Sequence, residues 1–317
     1  MKIHRKPSYL VVCLLFLLGC SRPSGQADSK SAEAHNKVGS KLYDQGRYKD
    51  AEKELREAIR IKPDHVNAHF NLGLTFIEQE KHADAEKEFR EVIRLSPADS
   101  EAHFKLGVTL LNQSKAVEAE NKYKEVVGLY PGYAEAYINL GYSLYLQGRY
   151  NESETEYKAS LKLNPALYVA HRHLGNVLYM QGRLNESEKE YREYIKVKPD
   201  DADARAALGG LLVNMERNED ALKELNEALR LNPGNAEARC NLGSLLMIQG
   251  KLDEAEKEIQ EAIRLKPELP EALGKMALLQ DMLGKRKEGR QYWLKALRFE
   301  KRPELIQGIR VRLAEPD

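Results

Sequence analysis

The chain has 317 residues, 31% of them charged and 42% hydrophobic, which is typical of a soluble, helix-rich fold. Lys and Arg total 50 and Asp and Glu total 49, so the formal net charge is only +1. Nucleic-acid binding requires a basic surface, so this balance argues against nucleic acid as a partner.

The first 19 residues have the pattern of a secretion signal. A basic stretch containing Lys2, Arg5 and Lys6 precedes an apolar run at residues 9–18. Ten helical residues are too few to cross a hydrocarbon core of about 30 Å, so the pattern predicts a signal peptide at 1–19 and no membrane span.

The predicted signal ends in Leu-Leu-Gly-Cys, whose cysteine is Cys20. This tetrapeptide resembles the lipobox of bacterial lipoproteins, although Leu18 stands where that family more often has a smaller residue. The resemblance implies that Cys20 carries a diacylglycerol and a further acyl chain such as palmitate, which together anchor the protein in a lipid bilayer. An ordinary secretory signal with an incidental cysteine is the alternative.

The residues after Cys20 bear on where the protein is anchored. The resemblance implies that, in enteric-type sorting, an Asp directly after the lipidated cysteine retains a lipoprotein at the inner membrane. Ser21 therefore favours the outer membrane with the protein facing the periplasm, and the inner membrane is the alternative. We interpret 20–31 as the lipidated cysteine and a flexible tether, because these residues are small and polar.

Glycine, proline and alanine each recur every 34 residues through the rest of the chain. The glycines are Gly39, Gly73, Gly107, Gly141, Gly175, Gly209 and Gly243. The prolines are Pro63, Pro97, Pro131, Pro165, Pro199, Pro233 and Pro267. The alanines are Ala34, Ala68, Ala102, Ala136, Ala170, Ala204, Ala238 and Ala272. Three series with one spacing indicate a structural repeat.

This period, with small residues at fixed places, resembles the tetratricopeptide repeat (TPR) family. If Ala32 is position 1, the recurring glycine takes position 8 and the proline position 32. The eight units are then 32–65, 66–99, 100–133, 134–167, 168–201, 202–235, 236–269 and 270–303. The resemblance implies an all-α fold, a right-handed α-solenoid of stacked helix-turn-helix units. Residues 304–317 carry an apolar stripe and are interpreted as a capping helix and tail.

The fourth unit illustrates the predicted helices. Residues 134–147 have apolar residues at helical spacing and end at a glycine, and a second helix begins near Tyr150. Gly141 and Ser153 are expected where these two helices touch, since only small side chains allow so close an approach. The second helices carry most of the charge, and pairs such as Glu86–Arg90 are interpreted as surface support alone.

The resemblance also implies a partner-binding groove, lined by the first helix of each unit. The residues predicted to line it are Phe70, Asn71, Leu74, Ile77, Phe104, Val108, Leu111, Ile138, Asn139, Tyr142, Tyr145, Arg172, Asn176 and Tyr179. Residues 134–147 contain a single charge, Glu135, so we expect an apolar peptide or helix as the ligand. Packing in the core is the alternative for the aromatic residues of this set.

No arrangement typical of an enzyme or a metal site occurs in the sequence. The histidines at position 4 are His35, His69, His103 and His171. They lie one or more whole repeats apart, whereas helical metal ligands are usually four residues apart, so we expect packing residues. Cys240 is the only cysteine after residue 20, which excludes a disulfide within the repeats. We therefore predict no catalytic residue, metal or cofactor.

These features predict a membrane-anchored adaptor of the bacterial cell envelope that binds other proteins in the groove. Two kinds of lipoprotein share this architecture: those that help to assemble type IV pilus secretins, and those that bring peptidoglycan hydrolases to a protease. The alternative is an accessory or carbohydrate-handling module of an envelope polysaccharide or glycosyl-transfer system, in which stacked tyrosines bind sugar. Architecture alone does not decide between them.

Overall fold

The computed structural model describes residues 24–300 and 302–314. These residues form seventeen α-helices and no strand, which confirms the predicted all-α repeat fold. The helices are α1 (Ser24–Asp44), α2 (Tyr48–Ile61), α3 (Val66–Glu78), α4 (His82–Leu95), α5 (Ser100–Asn112), α6 (Ala116–Leu129), α7 (Ala134–Leu146), α8 (Tyr150–Leu163), α9 (Val169–Met180), α10 (Leu184–Val197), α11 (Ala202–Asn214), α12 (Asn218–Leu231), α13 (Ala236–Ile248), α14 (Leu252–Leu265), α15 (Pro270–Met282), α16 (Arg286–Phe299) and α17 (Pro303–Ala314). The predicted signal and Cys20 lie outside the described residues.

The helices belong to two compact units, the first containing α1–α5 and the second α6–α17. In the first unit α1 pairs with α2 and α3 with α4, and α2 and α4 also contact the helix that follows each pair. The second unit repeats this scheme from α7 with α8 to α15 with α16. Each pair thus covers an apolar face of the next, which is the packing of a repeat solenoid.

Six of the recurring glycines lie where the two helices of a pair meet: Gly39, Gly73, Gly141, Gly175, Gly209 and Gly243. A Cβ atom on Gly141 would lie 3.0 Å from the ring of Tyr157, so a larger residue would require this ring to shift. The hydroxyl of Ser153 donates a 2.6 Å hydrogen bond to the carbonyl oxygen of Gly141. The two small residues expected at this contact are therefore found there.

The first helix begins earlier than predicted. Because α1 starts at Ser24, the interpretation of residues up to 31 as a flexible tether is wrong for 24–31. Once a helix has nucleated, each further residue adds a backbone hydrogen bond at little cost, and Gln26, Ala27 and Lys30 have high helix propensity. Every described helix lies at or after Ser24, so a chain that begins there keeps all the packed elements.

At the other end, α17 packs on the last helix pair. Ile309 is buried together with Leu273 and Ala296, and Arg290 donates a 2.6 Å hydrogen bond to the carbonyl oxygen of Leu313. This helix begins one residue before the predicted cap and covers the apolar face that the eighth pair would otherwise expose. None of the described helices is long and apolar enough to cross a bilayer.

Candidate binding surface

The first helices of neighbouring pairs lie side by side within each unit. In the first unit α1 contacts α3, and in the second unit α7 contacts α9, α11 contacts α13 and α13 contacts α15. We call the exposed surface of these first helices the inner face; it comprises α1, α3 and α5 in the first unit and α7, α9, α11, α13 and α15 in the second. All the predicted groove residues belong to these helices.

In the first unit, the inner face contains an open pocket of about 420 Å³ between α1 and α3. It is lined by Glu33, Asn36, Lys37, Ser40, Lys41, Asp44, Asn67, Phe70 and Asn71. The side-chain amide of Asn71 donates a 2.9 Å hydrogen bond to Oδ1 of the buried Asn36. The predicted residues Phe70 and Asn71 thus line a mostly polar pocket, and Asn36 is a lining residue that the sequence analysis missed.

The apolar residues predicted for the first unit are shared between core and surface. Leu74, Ile77, Val108 and Leu111 are half-buried on α3 and α5. The rings of Phe70 and Phe89 meet edge to face with centroids 5.6 Å apart, so part of Phe70 belongs to the core. The ammonium of Lys105 lies 5.9 Å from the ring centroid of the half-buried Phe104.

In the second unit, half-buried aromatic rings of α7 and α9 contact one another on the inner face. Tyr142 and Tyr145 stack with centroids 6.4 Å apart, and His173 lies 5.7 Å from Tyr142. His173 also stacks on the buried Tyr157, with centroids 5.5 Å apart. Burial, assisted by the charge of Arg172, lowers the pKa of His173 to about 4, so its ring is neutral at pH 7. His173 was not predicted, since the sequence does not show that its ring bridges two tyrosines.

Two predicted residues of α9 make contacts within the fold. The guanidinium of Arg172 lies 5.7 Å from the ring centroid of Tyr194. Oδ1 of Asn176 accepts a 2.5 Å hydrogen bond from the hydroxyl of Tyr191. Both side chains are half-buried, so each offers only part of its polar surface to a partner.

In the second unit, the most exposed apolar side chains of this face lie near the C-terminal ends of the first helices. They are Leu146, Tyr179, Ile248 and Met282, of which Ile248 is 60% exposed. Only Tyr179 was predicted, and its hydroxyl accepts a 2.6 Å hydrogen bond from Asn214. The other three share position 13, a signal that could have identified them from the sequence.

Ile138 is not part of the inner face, so its assignment to the groove is wrong. It is 7% exposed and packs in one cluster with Tyr157 and Leu174. Burying an aliphatic side chain of this size stabilises the fold by about 1.5–3 kcal/mol, which favours the core position. The neighbouring Asn139 is half-buried on α7.

The histidines of position 4 are bound within the fold. Nε2 of His69 lies 2.9 Å from the carbonyl oxygen of Pro63, and Nδ1 lies 2.6 Å from Glu88. Arg205 contacts the carbonyl oxygen of Pro199 in the preceding repeat at 2.8 Å and Glu224 in its own repeat at 2.7 Å. In these repeats the side chain at position 4 therefore joins the preceding turn to the second helix. Among the described residues, no group of three or more side chains could hold a metal ion.

Cys240 is buried and takes no part in chemistry at the surface. Its thiol is buried beneath Ala236, Ala262 and Ala272, and burial raises its pKa to about 12. A thiol that stays protonated at neutral pH is a poor nucleophile and a poor metal ligand, so Cys240 acts as a small apolar residue.

Comparison with known proteins places these repeats in a family. A model of the tetratricopeptide repeat matches residues 39–100, 73–134 and 206–270, which together exceed half of the chain. A second TPR model matches residues 141–182. No curated protein sequence matches this chain.

Solved structures share the fold at low sequence identity. A tetratricopeptide repeat protein from Parabacteroides merdae ATCC 43184 has a TM-score of 0.67 at 18% identity, covering 79% of this chain and 99% of that one. PilF of Pseudomonas aeruginosa has a TM-score of 0.58 at 20% identity, covering 67% and 97%. MamA from Desulfovibrio magneticus RS-1 has a TM-score of 0.51 at 18% identity, covering 54% and 97%. The recurring small residues, the stacked helix pairs and the matching family models show that this chain belongs to the tetratricopeptide repeat family.

Proposed function

We propose that the protein is a membrane-anchored adaptor that holds partner proteins on its inner face. The observation that carries this proposal is the uncharged aromatic surface formed by Tyr142, Tyr145 and His173. Aromatic side chains supply much of the binding energy at protein interfaces, and a neutral ring costs less to desolvate than a charged group. The exposed side chains of Leu146 and Tyr179 extend this surface.

The inner face of the second unit fits an apolar peptide or an amphipathic helix of a partner. The polar pocket of the first unit offers amides at Asn36 and Asn71, which suit an extended backbone because an amide both donates and accepts hydrogen bonds. A carbohydrate-handling module is the second candidate, and the stacked pair Tyr142 and Tyr145 is the observation that favours it.

Replacing both Tyr142 and Tyr145 with alanine tests whether the inner face binds partner proteins. Loss of two aromatic contacts should weaken partner capture at least tenfold, since a strong interface residue contributes about 2 kcal/mol or more. The measurement is quantification of proteins that co-purify with the tagged chain from solubilised membranes. The matched control is the pair Tyr130→Ala and Tyr168→Ala, which removes two exposed tyrosines outside the inner face.

Circular dichroism of each variant reports whether the fold is retained. If the Tyr142 and Tyr145 variant loses helix, Leu146→Ala with Tyr179→Ala replaces it, because both side chains are exposed. Undiminished capture by a folded inner-face variant would contradict the proposed surface. Loss of binding to glycan oligosaccharides, with protein capture unchanged, would favour the carbohydrate-handling alternative.

The anchoring part of the proposal rests on Cys20 and the segment that precedes it. We place the protein at the outer membrane, facing the periplasm, in an envelope pathway such as secretin assembly or hydrolase delivery to a protease. Cys20→Ser should abolish incorporation of labelled fatty acid and release the chain from the membrane fraction. The control is Cys240→Ser, which removes a thiol buried in the fold and should keep the label. A processed, labelled Cys20→Ser protein in the membrane fraction would contradict lipidation at this residue.

A further inference from the structure

Exposed apolar side chains line one edge of the second unit, at the turns between repeats. They are Leu129, Tyr130, Leu163, Tyr168 and Val197, and each is between 37% and 47% exposed. Leu129, Leu163 and Val197 end α6, α8 and α10, so they occupy equivalent places in three consecutive repeats. We call these five residues the turn edge.

The composition of these turns differs from that of the other repeats. Residues 126–134 contain no charged side chain, and residues 159–170 contain only Lys162. Residues 262–270, which correspond to 126–134, contain three charged side chains, and Leu265 there is half-buried. The turn that carries Val197 is also charged, since residues 193–202 contain Glu193, Lys196, Lys198, Asp200 and Asp201. Exposed apolar side chains in an almost uncharged turn are therefore a local feature of the third and fourth repeats.

Backbone hydrogen bonds hold both turns in place. The amide of Tyr133 donates to the carbonyl oxygen of Tyr130 at 3.0 Å, and that of Leu167 donates to Asn164 at 3.1 Å. The side chain of Asn164 also accepts from the amide of Ala166 at 3.0 Å. A surface that is already ordered loses little conformational entropy when it binds, which favours contact through these side chains.

Tyrosine, leucine and lysine in this combination suit the boundary between a bilayer and water. Tyrosine rings prefer the level of the lipid headgroups, leucine enters the apolar region, and lysine remains near headgroup phosphates. Leu129, Leu163 and Val197 end three successive second helices, so the turn edge spans several repeats and is not a single cleft. No acid accompanies Lys162 in its turn, whereas in the next turn Lys196 pairs with Glu193 at 2.6 Å.

We propose that the turn edge docks directly on a lipid bilayer, with Tyr130 and Tyr168 at the level of the headgroups, Leu129 and Leu163 at the edge of the apolar region, and Lys162 beside the lipid phosphates. This contact is separate from any acyl chain on Cys20 and from partner binding on the inner face. It would hold the second unit against the membrane surface. Anionic lipid should strengthen the contact through Lys162, and the apolar side chains should supply most of the attraction.

Vesicle flotation tests the proposal on residues 24–317, which keep every described helix and lack Cys20 and the apolar run at 9–18. The unchanged fragment should float with vesicles of phosphatidylethanolamine and phosphatidylglycerol, and less with phosphatidylcholine alone. Replacing Leu129, Tyr130, Leu163 and Tyr168 together with serine should lower the vesicle-bound fraction at least tenfold. Circular dichroism confirms that each protein remains helical.

The matched control replaces Ile248 and Met282 with serine. These side chains are also large, apolar and exposed, but they end α13 and α15 on the inner face. Flotation of this control should equal that of the unchanged fragment. Failure of the unchanged fragment to float, or equal flotation of the turn-edge variant, would overturn the proposal. Self-association in sedimentation velocity that the serine variant abolishes, without flotation, would instead assign the edge to a second copy of the chain.

Discussion

Gly243 and its counterparts set how closely the two helices of a pair approach. The residue that fills the space beside the glycine differs among repeats: it is Leu55 beside Gly39 and Tyr157 beside Gly141. The same holds for Gly73, Gly175, Gly209 and Gly243, which lie beside Phe89, Tyr191, Leu225 and Ile259 of their own repeats. Protein interiors are close-packed, so an added methyl group at such a place must displace its neighbour.

Gly243→Ala should lower the free energy of unfolding by about 1–3 kcal/mol, a typical cost of overpacking. The new Cβ would lie 2.4 Å from Cγ1 of Ile259, which is held close to its own backbone. The control is Gly128→Ala, where no atom lies within 4 Å and where alanine should stabilise the helix by roughly 0.5–1 kcal/mol. Urea unfolding monitored by circular dichroism measures the stability of both variants. If Gly243→Ala were as stable as Gly128→Ala, helices α13 and α14 would be able to move apart at this position.

At the scale of helices, glutamates at position 21 of the repeat join one helix pair to the next. Glu120 on α6 accepts hydrogen bonds from Gln147 at 2.8 Å and from Arg149 at 2.7 Å, and it pairs with Lys124 at 2.7 Å. Burial acts to raise the pKa of Glu120, but these hydrogen bonds outweigh it and lower the pKa to about 2. The carboxylate therefore stabilises the contact between neighbouring repeats in its charged form.

In the first unit, Glu86 makes the same connection. Its pair with Arg90 forms at 2.8 Å, but Glu86 also accepts hydrogen bonds from Gln113 at 2.9 Å and Lys115 at 2.8 Å. The interpretation of Glu86–Arg90 as surface support alone is therefore wrong. Residues 27 and 29 positions further along the chain reach this carboxylate only once the repeats have stacked.

Glu120→Gln should reduce stability by about 1–3 kcal/mol at pH 7, because it removes charge-assisted hydrogen bonds. The pKa of Glu120 is lowered on folding from 4.5 to about 2, so its contribution is complete above pH 4.5 and is lost as the pH falls towards 2. The stability difference from the unchanged chain should thus shrink over this range. Urea unfolding at several pH values measures it. Glu135→Gln, at an exposed residue, is the control, and a pH-independent difference would contradict this role of Glu120.

At the scale of the whole molecule, helices pack mainly against their near neighbours in the chain. The stability of such an array is approximately the sum of the repeats and of the contacts between adjacent repeats. A substitution therefore acts mainly on its own repeat and the two beside it. Tyr142 on α7 and Tyr130 after α6 belong to adjacent repeats, so circular dichroism of each variant is the measurement that separates the loss of one surface from a change in both.

The sequence by itself determined the fold class, the repeat and the contact between Gly141 and Ser153. It could do so because a 34-residue period of small residues encodes the geometry within each helix pair. It also selected helices that carry partly exposed aromatic residues, but it placed Ile138 on the surface and missed His173. Both depend on side chains of a neighbouring helix, which a periodicity does not reveal.

Only the tertiary structure decided which side chains remain exposed. Leu163 and Leu265 are the same residue type at the same position of two repeats, yet Leu163 is exposed and Leu265 packs against the buried cluster that contains Ala236 and Cys240. The backbone hydrogen bond of the following turn is the same in both repeats, 3.1 Å from Leu167 to Asn164 and from Leu269 to Lys266. The burial of each leucine therefore depends on the side chains that neighbouring helices place beside it, which a sequence period does not encode.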